Sequence, residues 1–158
     1  MSAQFKPNTT VSAVIHCQGK YLIVEELDNN NVVFNQPAGH LEADENLLDA
    51  MVREIDEETG LSIQPNSLCG IYYHLRQSNN TYYLRVSFIC ELEQHLKAQP
   101  KDSDIIRTHW LSKQELEQRK SQLRSPLVLK CIEDYEQGHR YPLTMLHTNV
   151  FASDNKAK

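Results

Sequence analysis

Glu54 is followed by Glu57 and Glu58 three and four residues on, so a helix through this stretch turns all three carboxylates toward one face. Like charges at that spacing repel and cost helix stability unless a cation sits between them. The donors are hard oxygens, which suit a divalent ion such as Mg²⁺ or Mn²⁺. An ion held there offsets phosphate charge and lowers the pKa of an attacking water. Arg53, four residues before Glu57, can pair with that carboxylate or with Glu45 and fix its orientation. Asp56 points away by the same geometry and reads as a solvated charge.

The elements that must position these groups are legible nearby. Asn46 is a helix N-cap, and Asp49 can face the free amides of the first turn. Gly60 stands where a left-handed C-terminal cap is wanted, so a helix is expected over roughly 47–58. Leu48, Met51, Val52 and Ile55 share one face and should bury against a sheet. Strands are expected over 9–16, 21–27, 32–36, 68–75, 81–91 and 105–110 from their alternation and β-branched content. Gly19-Lys20, Asp28 to Asn31 and Gln77 to Asn80 are the turns between them. Ser112 and Glu115 form a capping box that opens a short helix. Ser125-Pro126 opens another, with Leu127, Val128, Cys131, Ile132 and Tyr135 inward and Gly138 as its stop.

The stretch from Gly39 to Leu61 resembles the box of the Nudix hydrolase family, G-x5-E-x7-R-E-U-x-E-E-x-G-U with U aliphatic. Gly39, Glu45, Arg53, Glu54, Glu57, Glu58 and Gly60 fill every fixed position, a match expected by chance below roughly 10⁻⁶. A merely solvated acidic face would not bring Arg53, Glu45 and both glycines to the required distances. The resemblance implies metal-assisted hydrolysis of a diphosphate linkage, with Glu54, Glu57 and Glu58 as ligands. It also implies that Arg53 and Glu45 support them and that a backbone carbonyl of Ala38 or Gly39 completes the set. A carboxylate ahead of the tryptophan-bearing strand often adds a ligand or base in the family, which here points to Asp104 or Asp102. The implied fold is α/β, an α/β/α sandwich with a central mixed β-sheet, the box helix on one side and a C-terminal helix on the other.

Composition fits one enzyme domain. The chain has 158 residues, 40% hydrophobic, and a net charge of −5. That length supports one sizeable core, with residues 1–151 expected as the domain and 152–158 as a polar, disordered tail. No apolar run is long enough for a membrane span, and the first residues lack the pattern of a secretory signal. The charge advertises no surface for a nucleic-acid polymer or an anionic membrane. Cys17, Cys69, Cys90 and Cys131 lie far apart, which suggests free buried thiols in a reducing cytoplasm.

Substrate contacts must come mostly from outside the box. Gln36 to Glu42, Asp102 to Ile105, Leu123 to Val128 and Gly138 to Leu143 resemble a bacterial phosphatase branch of the family. That likeness implies a monomer acting on nucleoside tri- and diphosphates, the pyrophosphorylated pyrimidine precursor of thiamine, and thiamine diphosphate. The SQPWPFPxS array of NADH pyrophosphatases is absent after Leu61. Arg76, Gln77, Ser78 and Asn79 stand where ADP-ribose hydrolases carry a proline and diadenosine polyphosphate hydrolases a tyrosine, and no coenzyme A signature precedes the box. Candidate contacts are Arg85, able to take a phosphate oxygen bidentately, and Tyr73 and Tyr83, able to stack on a flat ring, with Gln36 beside the box. Alternation puts Tyr73 on one side of its strand and Tyr72 with His74 on the other. Aromatics that only fill the sheet–helix interface are the competing explanation. Ser125 with His139 is not a nucleophile pair, because Ser125 is better explained as a helix cap. Two function classes follow: a metal-dependent diphosphate hydrolase, or a Nudix-fold nucleotide-binding module or sensor that does not cleave. The full carboxylate set favours the enzyme.

Overall fold

The computed structural model describes residues 2–147. The tail expected at 152–158 and its boundary at 151 lie outside them. Seven strands form one mixed sheet: β1 (Asn8–Cys17), β2 (Lys20–Asp28), β3 (Asn31–Asn35), β4 (Ala38–His40), β5 (Ser67–Arg76), β6 (Thr81–Glu91) and β7 (Ile105–Leu111). The main order is β3-β2-β1-β6-β5, with β4 paired to β1 and β7 to β2. Helices α1 (Leu47–Thr59), α2 (Lys113–Gln118) and α3 (Leu127–Glu136) complete the fold.

Strand alternation sorts the core into two layers. Val11, Ala13 and Ile15 of β1 pack with Met51 and Ile55 of α1 and Phe88 of β6. Val14, one register away, packs with Ile23, Ile89, Val128 and Ile132 on the α3 side. The expected α/β/α sandwich is therefore observed. Met51 and Ile55 are fully buried, and burying each side chain contributes roughly 1.5–3 kcal/mol. Leu48 and Val52 flank them, only partly buried.

Two hairpin turns have both central residues at positive φ: Gln18 and Gly19 at 50° and 77°, Asn29 and Asn30 at 51° and 64°. These are the twist-matched two-residue turns favoured by hairpins, and the first falls one residue earlier than Gly19-Lys20. The strand expected over 32–36 ends at Asn35, ahead of Pro37. Its ring has no N–H for a ladder, its carbonyl accepts from the Ala13 amide at 3.0 Å, and the chain restarts as β4. Val11 then stands opposite Gly39, which brings the start of the box against the central strand. All four cysteines are free and buried. Among the described residues no helix is long and apolar enough to cross a membrane.

Candidate active site

Helix α1 carries the carboxylates because both ends are capped as the residues dictate. The Asn46 side chain accepts from the Asp49 amide at 2.8 Å, and Gly60, at φ 71°, donates its amide to the Asp56 carbonyl at 2.7 Å. With Met51 and Ile55 turned into the core, Glu54 and Glu58 meet β4, and Glu57 lies beside them at the shared Arg53 guanidinium. Glu54 and Glu58 are buried, while the Glu57 side chain is 46% exposed. Asp56 is turned elsewhere and pairs with Lys101 at 2.7 Å.

Arg53 ties the group together. Its Nη1 donates to Glu54 Oε1 at 2.8 Å and to Glu57 Oε2 at 3.3 Å. Its Nη2 and Nε meet the two Glu45 oxygens at 2.8 and 3.0 Å, and Nη2 also donates to the His40 carbonyl at 3.0 Å. The expected choice between Glu57 and Glu45 is thus resolved as both. Strand β4 supplies the opposite wall. The Ala38 amide donates to Glu58 Oε2 at 3.1 Å. A Cβ on Gly39 would lie 2.0 Å from the Glu54 carboxyl carbon, so only glycine lets that carboxylate approach the strand.

These environments separate the acids electrostatically. Hydrogen bonding to Arg53 holds Glu45 below the usual carboxylate range. Burial pushes Glu54 up despite Arg53. Burial also pushes Glu58 well up, reinforced by the charges of Glu26, Glu54 and Asp102 and opposed by the Ala38 amide. Desolvated carboxylates with raised pKa values favour a nearby positive charge. Among the described residues no three acidic, imidazole or thiol groups stand close enough to cage an ion as they are; the Arg53 guanidinium bridges Glu54 and Glu57 instead. The donor chemistry, the Gly39 cradle and the buried carboxyl of Glu58 together fit a hard divalent cation.

The loop before β7 docks on the end of α1. The Lys101 and Asp102 amides both donate to the Glu57 carbonyl at 2.9 Å. Asp102 acts electrostatically on Glu58, whereas Asp104 is exposed and donates its amide to Asp102 Oδ1 at 2.9 Å. Of the two expected acids, Asp102 is the better placed.

Beside β4 opens a cavity whose walls include Gly39, His74, Arg76, Tyr83, Arg85 and Arg124. Cross-strand register sets His74 opposite Tyr83 and Tyr72 opposite Arg85. Tyr83 stacks on His74 with centroids 5.4 Å apart, and burial lowers the His74 pKa. Arg85 and Tyr83 therefore meet at the cavity as expected. Tyr73 does not: it lies on the other face of the sheet, 59% exposed and stacked on Tyr82. Tyr72 is structural, its hydroxyl donating to Asp134 at 2.7 Å. Gln36 is buried and donates from Nε2 to the Val128 carbonyl at 3.2 Å, tying the strand to α3 rather than lining the cavity. The Ser125 hydroxyl accepts from the Leu127 amide at 3.2 Å, one residue ahead of the Pro126 N-cap of α3. Arg76 and Arg124 were not among the expected contacts; each is isolated in sequence, and only folding brings them to Arg85.

Comparison with known proteins agrees with this geometry. The NUDIX domain family model matches residues 6–130. Phosphatase NudJ of Escherichia coli strain K12 is 49% identical over 142 residues, covering 90% of this chain and 92% of that relative. A NUDIX hydrolase structure from Nitrosomonas europaea superposes with a TM-score of 0.84 at 45% identity, covering 90% of this chain and 97% of its own. The NUDIX domain of Shewanella oneidensis NrtR, at 16% identity, shares the fold with a TM-score of 0.72 over 85% of this chain and 90% of its own. With the fold, the carboxylate helix and these matches in agreement, the chain belongs to the Nudix hydrolase family.

Proposed function

We propose that this enzyme hydrolyses the terminal diphosphate linkage of small molecules with Mg²⁺, Mn²⁺ also serving. The substrate class is nucleoside tri- and diphosphates together with the thiamine pyrimidine pyrophosphate and thiamine diphosphate. One observation carries the reading: Glu54 and Glu58 meet β4 from one helix, and Arg53 ties Glu57 to Glu54 beside them. Similarity to a relative named phosphatase NudJ supports orthophosphate release.

Glu54, Glu57 and Glu58 would hold the ion, with the Ala38 carbonyl and Asp102 or Asp104 as further oxygen donors. When bound, it supplies charge neutralisation of the phosphates and a more acidic water. Glu57 is the carboxylate open to solvent, able to receive the attacking water's proton at Oε1 while Arg53 restrains Oε2. Arg53 and Glu45 keep the set in register, because Glu45 stays ionised under its paired guanidinium. Arg85 neutralises phosphate, and Tyr83 offers a ring face without strict base readout.

All these groups come from one chain, so a monomer suffices. Net charge −5 repels an extended polyanion, so small anions bind only at local positive sites. Four free buried thiols suit a reducing cytoplasm. A colorimetric phosphate-release assay with Mg²⁺ over nucleotides and thiamine phosphates tests the reading. Orthophosphate release from several members is expected; binding without turnover of any of them would overturn it.

A further inference from the structure

The cavity beside β4 is small and carries three guanidiniums. Arg85 comes from β6, Arg76 from the end of β5, and Arg124 from the segment before α3, whose amide donates to the Phe34 carbonyl at 2.9 Å. Two of the three are held by acids. Arg76 pairs with Asp28. Arg124 donates to Glu26 Oε1 at 2.7 Å and lies 3.9 Å from Asp28. Asn35 donates to the same Glu26 oxygen at 3.2 Å, fixing the acid that fixes Arg124.

Arg85 differs. Its only hydrogen bond runs from Nε to Thr10 Oγ1 at 3.2 Å, and it meets no carboxylate among the described residues. It is open to the cavity yet surrounded by protein, and burial pushes its pKa down. A guanidinium has five donors, so most of those on Arg85 await an acceptor. Glu26 and Glu58 act on Arg85 only at longer range, so it alone of the three has no ion-pair partner among the described residues, and a desolvated unpaired charge is costly unless an anion joins it.

Size decides which anion. The cavity holds about 100 Å³. Sites for whole drug-sized ligands run to roughly 300 Å³ and more, so this cavity does not enclose a whole nucleoside. A phosphoryl group fits. The wall that includes Gly39 is the strand that contacts Glu54 and Glu58, so the cavity and the carboxylate helix share β4.

We propose that this three-arginine cavity is the seat of the substrate's terminal phosphoryl group, with Arg85 as its principal ligand, and that orthophosphate occupies it after cleavage. This rests on the hydrolase reading and gives it a reason for terminal cleavage. The substrate enters phosphate-first and its organic part stays outside, which tolerates different rings. In the reaction the water oxygen forms the new P–O bond to the terminal phosphorus. The bridging oxygen leaves with the bonding pair on the shortened substrate, and one proton passes to solvent. Arg76 and Arg124, anchored by Asp28 and Glu26, are positioning residues that keep the cavity open.

Inorganic phosphate is the probe. Its binding to the metal-free protein in EDTA is read by phosphorus NMR line broadening, alongside steady-state kinetics. The wild type should broaden the phosphate signal, adenosine should not displace it, and phosphate should inhibit turnover competitively. Arg85→Gln should weaken phosphate binding and raise KM by about tenfold or more, given the strength of charged hydrogen bonds, with Arg85→Lys recovering part of it. Should Arg85→Gln fail to fold, the wild-type titration and the adenosine competition still decide. Wild-type affinity in a folded Arg85→Gln, displacement by adenosine, or no phosphate binding by the wild type would overturn the assignment. Failure of the hydrolase reading looks different: no orthophosphate appears from any substrate, whatever the cavity binds.

Discussion

The Arg53 guanidinium grips the Glu45 carboxylate through two hydrogen bonds, Nε to Oε2 at 3.0 Å and Nη2 to Oε1 at 2.8 Å. This planar pairing leaves Nη1 free to reach Glu54 and Glu57. Lysine cannot reproduce both halves of that geometry. Arg53→Lys should therefore lower kcat and raise the Mg²⁺ concentration needed for half-maximal rate. A double-mutant cycle with Glu45→Gln, followed by denaturant unfolding, should give a coupling of about 1–2 kcal/mol. Additive effects of the two substitutions would show that the pair does not act as a unit.

Gly39 separates folding from function. The nearest atoms a methyl group there meets are the end of the flexible Glu54 side chain, its Cδ and Oε1 both 2.0 Å away. Glu54 can swing aside, so Gly39→Ala should keep a melting temperature within a few degrees of wild type. Turnover should nonetheless fall about a hundredfold, because a displacement of this order misplaces a ligand. Parallel thermal melts and initial rates check it. Unchanged turnover would mean that the approach of Glu54 to β4 has no catalytic role.

Glu58 makes a prediction about pH. Burial holds its folded pKa well above the unfolded value of 4.5. Between those two values the folded chain binds more protons than the unfolded one, so this group lowers metal-free stability as pH rises. Glu58→Gln keeps an acceptor for the Ala38 amide and removes the charge. In EDTA at neutral pH the variant should melt above wild type. The gap should close on acidification toward the unfolded pKa. A variant that melts lower across the range would contradict the buried-charge assignment.

The local parts of this site were legible in sequence because each follows from a short-range rule. Asn46 and Gly60 bound the helix, Ser112 and Glu115 cap the next one, and helical spacing alone brings Glu54, Glu57 and Glu58 together. Long-range pairing was not legible. The parallel contact of β1 with β6 joins segments with most of the chain's first half between them, and nothing local encodes it. Tyr73 shows the consequence. Alternation separates it from Tyr72 and His74, but only cross-strand register reveals that His74, and not Tyr73, faces Tyr83. Arg76 and Arg124 were missed for the same reason, since their convergence with Arg85 exists only in the folded sheet. The separate strand β4 depended on Pro37, whose break in the ladder reads locally as the end of a strand.

The most direct test of metal-dependent catalysis by the carboxylate helix is turnover of Glu57→Gln at saturating Mg²⁺, followed by phosphorus NMR on a nucleoside triphosphate. The wild type should release orthophosphate, stop on addition of EDTA and recover with excess Mg²⁺. The variant should fold as wild type by circular dichroism and lose at least roughly a hundredfold in kcat. Near-wild-type turnover in the variant, or wild-type activity that persists in EDTA, would contradict the assignment of Glu54, Glu57 and Glu58 as the metal-holding catalytic set.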